Sequence, residues 1–104
     1  MRAESGEVRL LPWTTAGGEP CYLLGDGAGA VSRMADRIES AQLSMAGDLL
    51  GHAADLLGDR RATGPQVHYL ACRLAESLED VRRVAESRGR RLDGTSVEPV
   101  PGGE

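Results

Sequence analysis

The sequence contains no phenylalanine and no lysine, and its aromatic residues are one tryptophan and two tyrosines. Aromatic side chains supply the largest buried areas of a core, so a chain of 104 residues with three of them can build only a small core. Alanine further reduces the apolar area that the core can bury, since it accounts for 13 of the 42 apolar residues. The length predicts one small domain and leaves no room for a second, catalytic one.

Long apolar runs are also missing. No stretch of about 18 apolar residues is present, and residues 1–7 lack the apolar region of a signal peptide. A soluble cytoplasmic protein is therefore expected, in which both cysteines stay thiols. The net charge of -4 does not favour steering of the whole molecule to nucleic acid.

Two short β-prone runs lie near the start of the chain, at residues 8–13 and 21–24. The turn-rich spacer between them predicts a small N-terminal β-hairpin over residues 8–24. Pro12 has no N–H for a strand ladder, so the first run is expected to be an edge strand. An isolated two-stranded hairpin is marginal in water, so this one must pack on another element.

That element is predicted to be helical. Apolar residues recur with a 3.6-residue period over residues 30–57 and 64–88. Gly58 and Gly89 are the expected helix ends. The fold class is therefore mainly α, a long antiparallel helix hairpin that carries the small β-hairpin. Residues 1–7 and 93–104 have the composition of flexible tails.

The second helix carries its own start signal. Thr63 and Gln66 have the spacing of a capping box, in which each side chain bonds the backbone N–H of the other. Pro65 lies in the first turn, where its missing N–H has no cost.

The two predicted helices differ in the width of their apolar surface. The second has a stripe about 120° wide, whereas Leu43, Leu50 and Leu57 widen that of the first to roughly 200°. One neighbouring helix cannot cover so wide a surface. The N-terminal hairpin could cover it with Trp13 and Tyr22, or a second chain could do so. We expect a homodimer with a four-helix arrangement, whose interface contains these five residues.

Several candidate sites for chemistry are weak. Gly25–Ala30 fits the G-x-G-x-x-G/A pattern of dinucleotide-binding proteins, but no second parallel strand follows, so a turn is expected. Cys21, His52, His68 and Cys72 are the residue types of a zinc site. His68 and Cys72 lie on the polar side of their helix, so the four are not expected to meet. No catalytic residue, cofactor or bound metal is predicted.

The strongest electrostatic signal is a cluster of arginines at the end of the second helix. It consists of Arg82, Arg83, Arg88, Arg90 and Arg91. Positive charge at this position complements the helix macrodipole, which is sufficient to explain the cluster. The same residues are a possible patch for an anion or an acidic partner. A nucleic-acid surface is less favoured, because exposed aromatic residues and a recognition helix are not visible.

Four segments carry a resemblance to other proteins: Leu11–Trp13, Pro20–Leu23, Ser32–Asp36 and Val84–Gly89. In these segments the chain resembles a group of short, uncharacterised actinobacterial proteins of the Streptomyces type, over about residues 8–92. The resemblance implies a soluble bacterial cytoplasmic protein and implies no activity.

These observations predict a non-enzymatic protein–protein interaction module, a homodimeric regulatory or accessory protein with an unidentified protein partner. The alternative is a small DNA-associated or metal-responsive regulator that uses the arginine cluster or the cysteine and histidine set.

Overall fold

A computed structural model describes residues 8–25 and 29–93 of the chain. It contains strands β1 (Val8–Thr14) and β2 (Pro20–Leu24), followed by helices α1 (Ala30–Leu57) and α2 (Gly64–Asp93). The predicted fold is confirmed, since the chain is mainly helical with two long helices and a small N-terminal β-hairpin. The predicted tail at 1–7 lies outside the described residues, as does the predicted tail at 93–104 except for Asp93, which is the last residue of α2.

The two strands pair antiparallel, with Val8 opposite Leu24 and Leu10 opposite Tyr22. The register shifts between Leu10 and Thr14, around Pro12, which cannot donate to the ladder. Gly18 closes the turn with a φ of 85°, a conformation that favours glycine.

Both ends of α1 are as predicted, with Gly58 donating its N–H to the carbonyl of Ala54 at 3.2 Å. The predicted end of α2 at Gly89 is wrong, because the helix continues to Asp93. The reason lies in the side-chain contacts of the residues after Gly89. Arg90 and Arg91, which follow the glycine, contact side chains from α2 and α1, and these contacts outweigh the low helix propensity of one glycine.

The predicted capping box at the start of α2 is confirmed. Thr63 donates its N–H to Gln66 Oε1 at 2.8 Å, and Gln66 donates its N–H to Thr63 Oγ1 at 3.2 Å.

Replacing Thr63 with alanine removes the hydroxyl acceptor and leaves a helix N–H without its partner. We expect this variant to lose about 1 kcal/mol in the free energy of unfolding, measured by urea titration. Thr63→Ser keeps the hydroxyl and is the matched control. Equal stability of the alanine and serine variants would show that the capping box does not stabilise the protein.

Strand β1 lies along the groove between the two helices. The carbonyl of Leu10 accepts a hydrogen bond from Ser87 Oγ at 2.9 Å, and the carbonyl of Pro12 accepts from Gln42 at 3.3 Å and Arg83 at 3.5 Å. Two residues of a strand span about 6.6 Å and four residues of a helix about 6 Å. Successive carbonyls of β1 therefore meet successive turns of α2, and the strand runs antiparallel to this helix.

The core is small and unusually polar. Its buried apolar residues, among those described, are Leu10, Leu11, Pro12, Ala35, Ala53, Leu70 and Val84. Its buried polar residues are Arg9, Ser32, Glu39, Ser77 and Ser87. The apolar stripe of α1 was expected to face the core, but Met34 and Met45 are about half exposed while Ser32 and Glu39 are buried. The helices are thus rotated so that polar partners of Arg9 point inward.

Candidate interaction surface

Arg9 of β1 is buried and held by three residues of α1. Its guanidinium donates to Asp36 Oδ1 at 2.7 Å, to Glu39 Oε2 at 3.1 Å, and to the carbonyl and the hydroxyl of Ser32 at 3.1 and 3.2 Å. The three acceptors lie one turn apart on α1, which is why one guanidinium reaches all of them. Arg9 thereby fixes the hairpin to the start of α1.

Glu39 is the centre of a larger ion cluster. Its carboxylate is almost fully buried and also lies 3.5 Å from Arg88 Nε and 3.6 Å from Arg91 Nη2. Oε1 faces these two arginines without a hydrogen bond of good geometry. The cluster joins β1, α1 and the last turns of α2 around one carboxylate.

The predicted arginine patch is therefore mostly engaged within the fold. Arg88 and Arg91 face Glu39. Arg83 pairs with Asp80 at 3.3 Å, and Arg90 lies 3.5 Å from Glu86 and 5.6 Å above the centre of the Tyr22 ring. Arg82 is the one member of the predicted patch for which the structure gives no ion pair to a described residue. These contacts give the patch a structural role in holding the hairpin.

The five residues predicted to form the interface do not make one patch. Tyr22 lies beside Arg90, whereas Leu50 and Leu57 are 66% and 82% exposed and lie toward the turn between the helices. Glu39 of α1 contacts Arg91 near the end of α2. Leu57 is 18 residues after Glu39 on α1, which is about 27 Å along the helix. Trp13 is half-buried in β1 and Leu43 is at the edge of exposure. The hairpin therefore leaves Leu50 and Leu57 uncovered.

A second apolar surface lies on the side of the helices away from the β-hairpin. His52 of α1 and Tyr69 of α2 line one crevice at the turn end, so they mark the same side of the helix pair. Tyr69 lies five full turns before Ser87, which contacts the hairpin, so this is the hairpin side. At 100° per residue, Met34 and Met45 are in line with His52 on the hairpin side. The other side of α1 carries Leu43, Leu50 and Leu57.

The same relation holds for α2. Arg83 and Ser87 contact the hairpin, while Leu74 and Leu78 project from the far side.

We call this two-helix surface the open face. Its residues are Leu43, Leu50 and Leu57 of α1, and Val67, Ala71, Leu74, Leu78, Val81 and Ala85 of α2. None of these residues is charged. Leu43, Leu50, Leu57, Val67 and Leu78 are between 36% and 82% exposed. An uncharged, partly exposed surface that extends over two helices is typical of an interaction site. Sequence reasoning missed the α2 part of this surface, because its residues were assigned to the core.

A shallow apolar crevice of about 300 Å³ lies at the turn end of the helix pair. Its walls include His52 and Leu56 of α1 and Tyr69 and Leu70 of α2. Leu56 and His52 continue the stripe of Met45 along α1. Tyr69 is in phase with Ser87, which contacts the hairpin, so the crevice lies on the hairpin side of the helix pair.

The cysteine and histidine set is dispersed. Cys72 Sγ lies 3.6 Å from His68 Nε2 on the exposed side of α2. Cys21 is next to Tyr22, whose ring lies under Arg90 of α2. Arg90 is 18 residues after Cys72, about 27 Å along the helix. His52 lines the crevice instead. Among the described residues, no group of three or more possible ligands is placed to hold a metal ion.

The glycine-rich segment is followed by two helices and, within the described part of the chain, by no further strand. The parallel sheet that a dinucleotide site needs is therefore missing from this part of the chain. Residues 26–28 of the segment lie outside the description.

Neither described helix combines the length and the apolar character needed to cross a bilayer. Comparison with family models, curated proteins and solved structures finds no match to this chain. A function for the chain therefore rests on its own surfaces.

Proposed function

We propose that this protein is a non-enzymatic interaction module that self-associates through the open face, as a homodimeric regulatory or accessory protein. The observation that carries the proposal is the uncharged, partly exposed apolar surface on the side of both helices away from the hairpin. Its side chains remain partly exposed in the single chain, so a partner surface is needed to remove them from water.

The size of the open face suits a dimer. The residues of the open face span 14 positions of α1 and 18 of α2, about 21 and 27 Å. Two helices packed about 9 Å apart offer roughly 500 Å² to a partner over this length, so a dimer buries about 1,000 Å² in total, the lower limit of a specific interface. A second copy brings an equally long, equally uncharged surface, and two helix pairs stacked in this way form a four-helix arrangement.

The stripe of Met34, Ile38 and Met45 on the hairpin side of α1 is a weaker candidate for this interface. On that side of the molecule, α2 contributes the ion pairs between Arg73 and Glu76 and between Arg83 and Asp80. A partner seated there has to displace water from charged groups. The open face has no such cost, so it is the better dimer surface.

A charge placed on the open face tests this proposal. We expect the wild-type protein to elute as a dimer of about twice 11.0 kDa, and Leu78→Glu to be a monomer at tens of micromolar, because a carboxylate at the interface lacks a partner. Light scattering coupled to size-exclusion chromatography measures both masses.

Met45→Glu is the matched control, since it places the same charge on a similarly exposed apolar residue of the other side. It should remain dimeric. A monomeric wild-type protein, or dissociation by Met45→Glu but not by Leu78→Glu, contradicts the proposal.

We further propose that the module works in the cytoplasm, where the free thiols of Cys21 and Cys72 stay reduced. The alternative of a DNA-associated or metal-responsive regulator gains no support from the geometry. Most of the arginines are engaged with acids of the fold, and the possible metal ligands are dispersed.

A further inference from the structure

The two outer edges of the β-hairpin differ. Along β1, the carbonyls of Leu10 and Pro12 point at the helices and accept hydrogen bonds from Ser87, Gln42 and Arg83. Pro12 also lacks an N–H. Side chains of both helices therefore close this edge to any further strand.

The edge of β2 is open. Because the Leu10 carbonyl is directed away from β2, the pair of Leu10 and Tyr22 is one whose backbone groups point outward from the hairpin. The backbone groups of Tyr22, and those of Leu24 two residues later, therefore point outward along β2. Pro20, two residues before Tyr22, offers only its carbonyl to this edge. The Leu24 side chain is 74% exposed. No other described element donates a backbone hydrogen bond to these residues.

A groove of about 510 Å³ runs beside this open edge. The turn and β2 form one wall with Gly18, Pro20 and Tyr22, and α2 forms the other with Glu79, Arg82, Arg83 and Glu86. Leu10 and Thr14 of β1 also line the groove, so it reaches from the edge of β2 to the space between the hairpin and α2. No residue of α1 lines it. A strand added to β2 would therefore lie over the outer side of α2, with every second side chain pointing at this helix.

The α2 wall of the groove alternates in charge. Glu79, Arg82 and Glu86 follow one another at intervals of three and four residues, about 4.5 and 6 Å along the helix. Glu86 has only a weak contact with Arg90 at 3.5 Å. Within the described residues, Glu79 and Arg82 have no ion pair, so both charges are available to a ligand.

We propose that the open edge of β2 binds an extended peptide segment of a partner protein as a third strand of the sheet. The inward side chains of this segment alternate as basic, acidic and basic, opposite Glu79, Arg82 and Glu86. Backbone hydrogen bonds to Tyr22 and Leu24 supply the affinity, as in other cases of strand addition, and the charge order supplies the specificity. Alternate residues of a strand lie about 6.6 Å apart, close to one helical turn. The same agreement between strand spacing and helical turn allows alternate residues of β1 to contact α2 at Ser87 and Arg83. The proposal does not depend on self-association through the open face.

A synthetic peptide tests the charge order directly. The probe is Val-Lys-Thr-Glu-Thr-Lys-Val with blocked ends and a fluorescent label, titrated with the full-length protein and followed by anisotropy. We expect it to bind at least about tenfold more tightly than the swapped peptide Val-Glu-Thr-Lys-Thr-Glu-Val, since in the swapped complex all three facing pairs are like charges.

A triple variant reverses the expectation. Glu79→Arg, Arg82→Glu and Glu86→Arg change only exposed residues and keep the strand edge, so this protein should prefer the swapped peptide. Its circular dichroism spectrum, compared with that of the wild-type protein, reports whether the fold is kept. If the variant does not fold, Arg82→Glu alone should reduce the preference of the wild-type protein for the first peptide.

A third peptide tests the backbone bonds. Methylation of two alternate amide nitrogens on the edge that faces β2 removes the donors of a third strand and leaves the charges in place. We expect binding to be lost. The proposal is wrong if neither charged peptide binds at millimolar concentration, if both bind equally, or if N-methylation leaves the affinity unchanged.

Discussion

Replacing Glu39 with leucine is expected to cost about 3–5 kcal/mol in the free energy of unfolding. The variant removes the carboxylate that faces Arg9, Arg88 and Arg91, and it leaves the buried Arg9 with Asp36 as its single carboxylate partner. Stabilities of small domains are about 5–15 kcal/mol, so a large part of the native state is lost. Urea unfolding followed by circular dichroism measures the effect.

Two further variants separate the buried charge from ordinary surface electrostatics. Asp36 also pairs with Arg9, but its side chain is 62% exposed, so Asp36→Asn should cost no more than about 1 kcal/mol. The double variant Arg9→Met with Glu39→Leu removes both buried charges and should regain most of the loss. A single Glu39→Leu variant as stable as Asp36→Asn would contradict the role given to this carboxylate.

Leu10→Ala is expected to cost about 2–4 kcal/mol. Leu10 is one of the few large apolar side chains that are buried, and it anchors β1 against α2. Because the core contains no phenylalanine and much alanine, few neighbours are large enough to move into the cavity. Urea unfolding measures the loss, and the fluorescence of Trp13 reports whether the hairpin separates from the helices before they unfold.

Leu24→Ala is the matched control for this variant, because it removes the same atoms from an exposed position of the same hairpin. It should change the stability by less than about 0.5 kcal/mol. Equal effects of the two variants would mean that the hairpin is not an integral part of the core.

The periodic and local features of this fold could be predicted from the sequence. The 3.6-residue period located α1, and the Thr63 and Gln66 spacing located the start of α2, because both signals arise from interactions within a few residues. The end of α2 could not be predicted in this way. Gly89 is an ordinary stop signal, and only the distant partner Glu39 explains why the helix continues through it.

The exposure of the apolar stripes depended on a rotation that the sequence does not encode locally. An apolar stripe normally faces the core, and the stripes of both helices were assigned there. Arg9 lies on a strand about 30 residues before Glu39, and their contact turns a polar side of α1 inward. Met34 and Met45 are consequently about half exposed. The pairing of Arg9 with Glu39 could not be found without the tertiary structure.

The contacts that hold the hairpin also set the order of events during synthesis. Ser87 binds Leu10 across a sequence separation of 77 residues, and Arg88 and Arg91 follow directly. Closing so long a loop is slow compared with forming the helices. On a ribosome, β1 is made before both helices, and its binding site is complete only after the final turns of α2 have left the exit tunnel. The hairpin and its open strand edge therefore stay undocked while the helices are made, a period in which a chaperone can protect them from pairing with other chains.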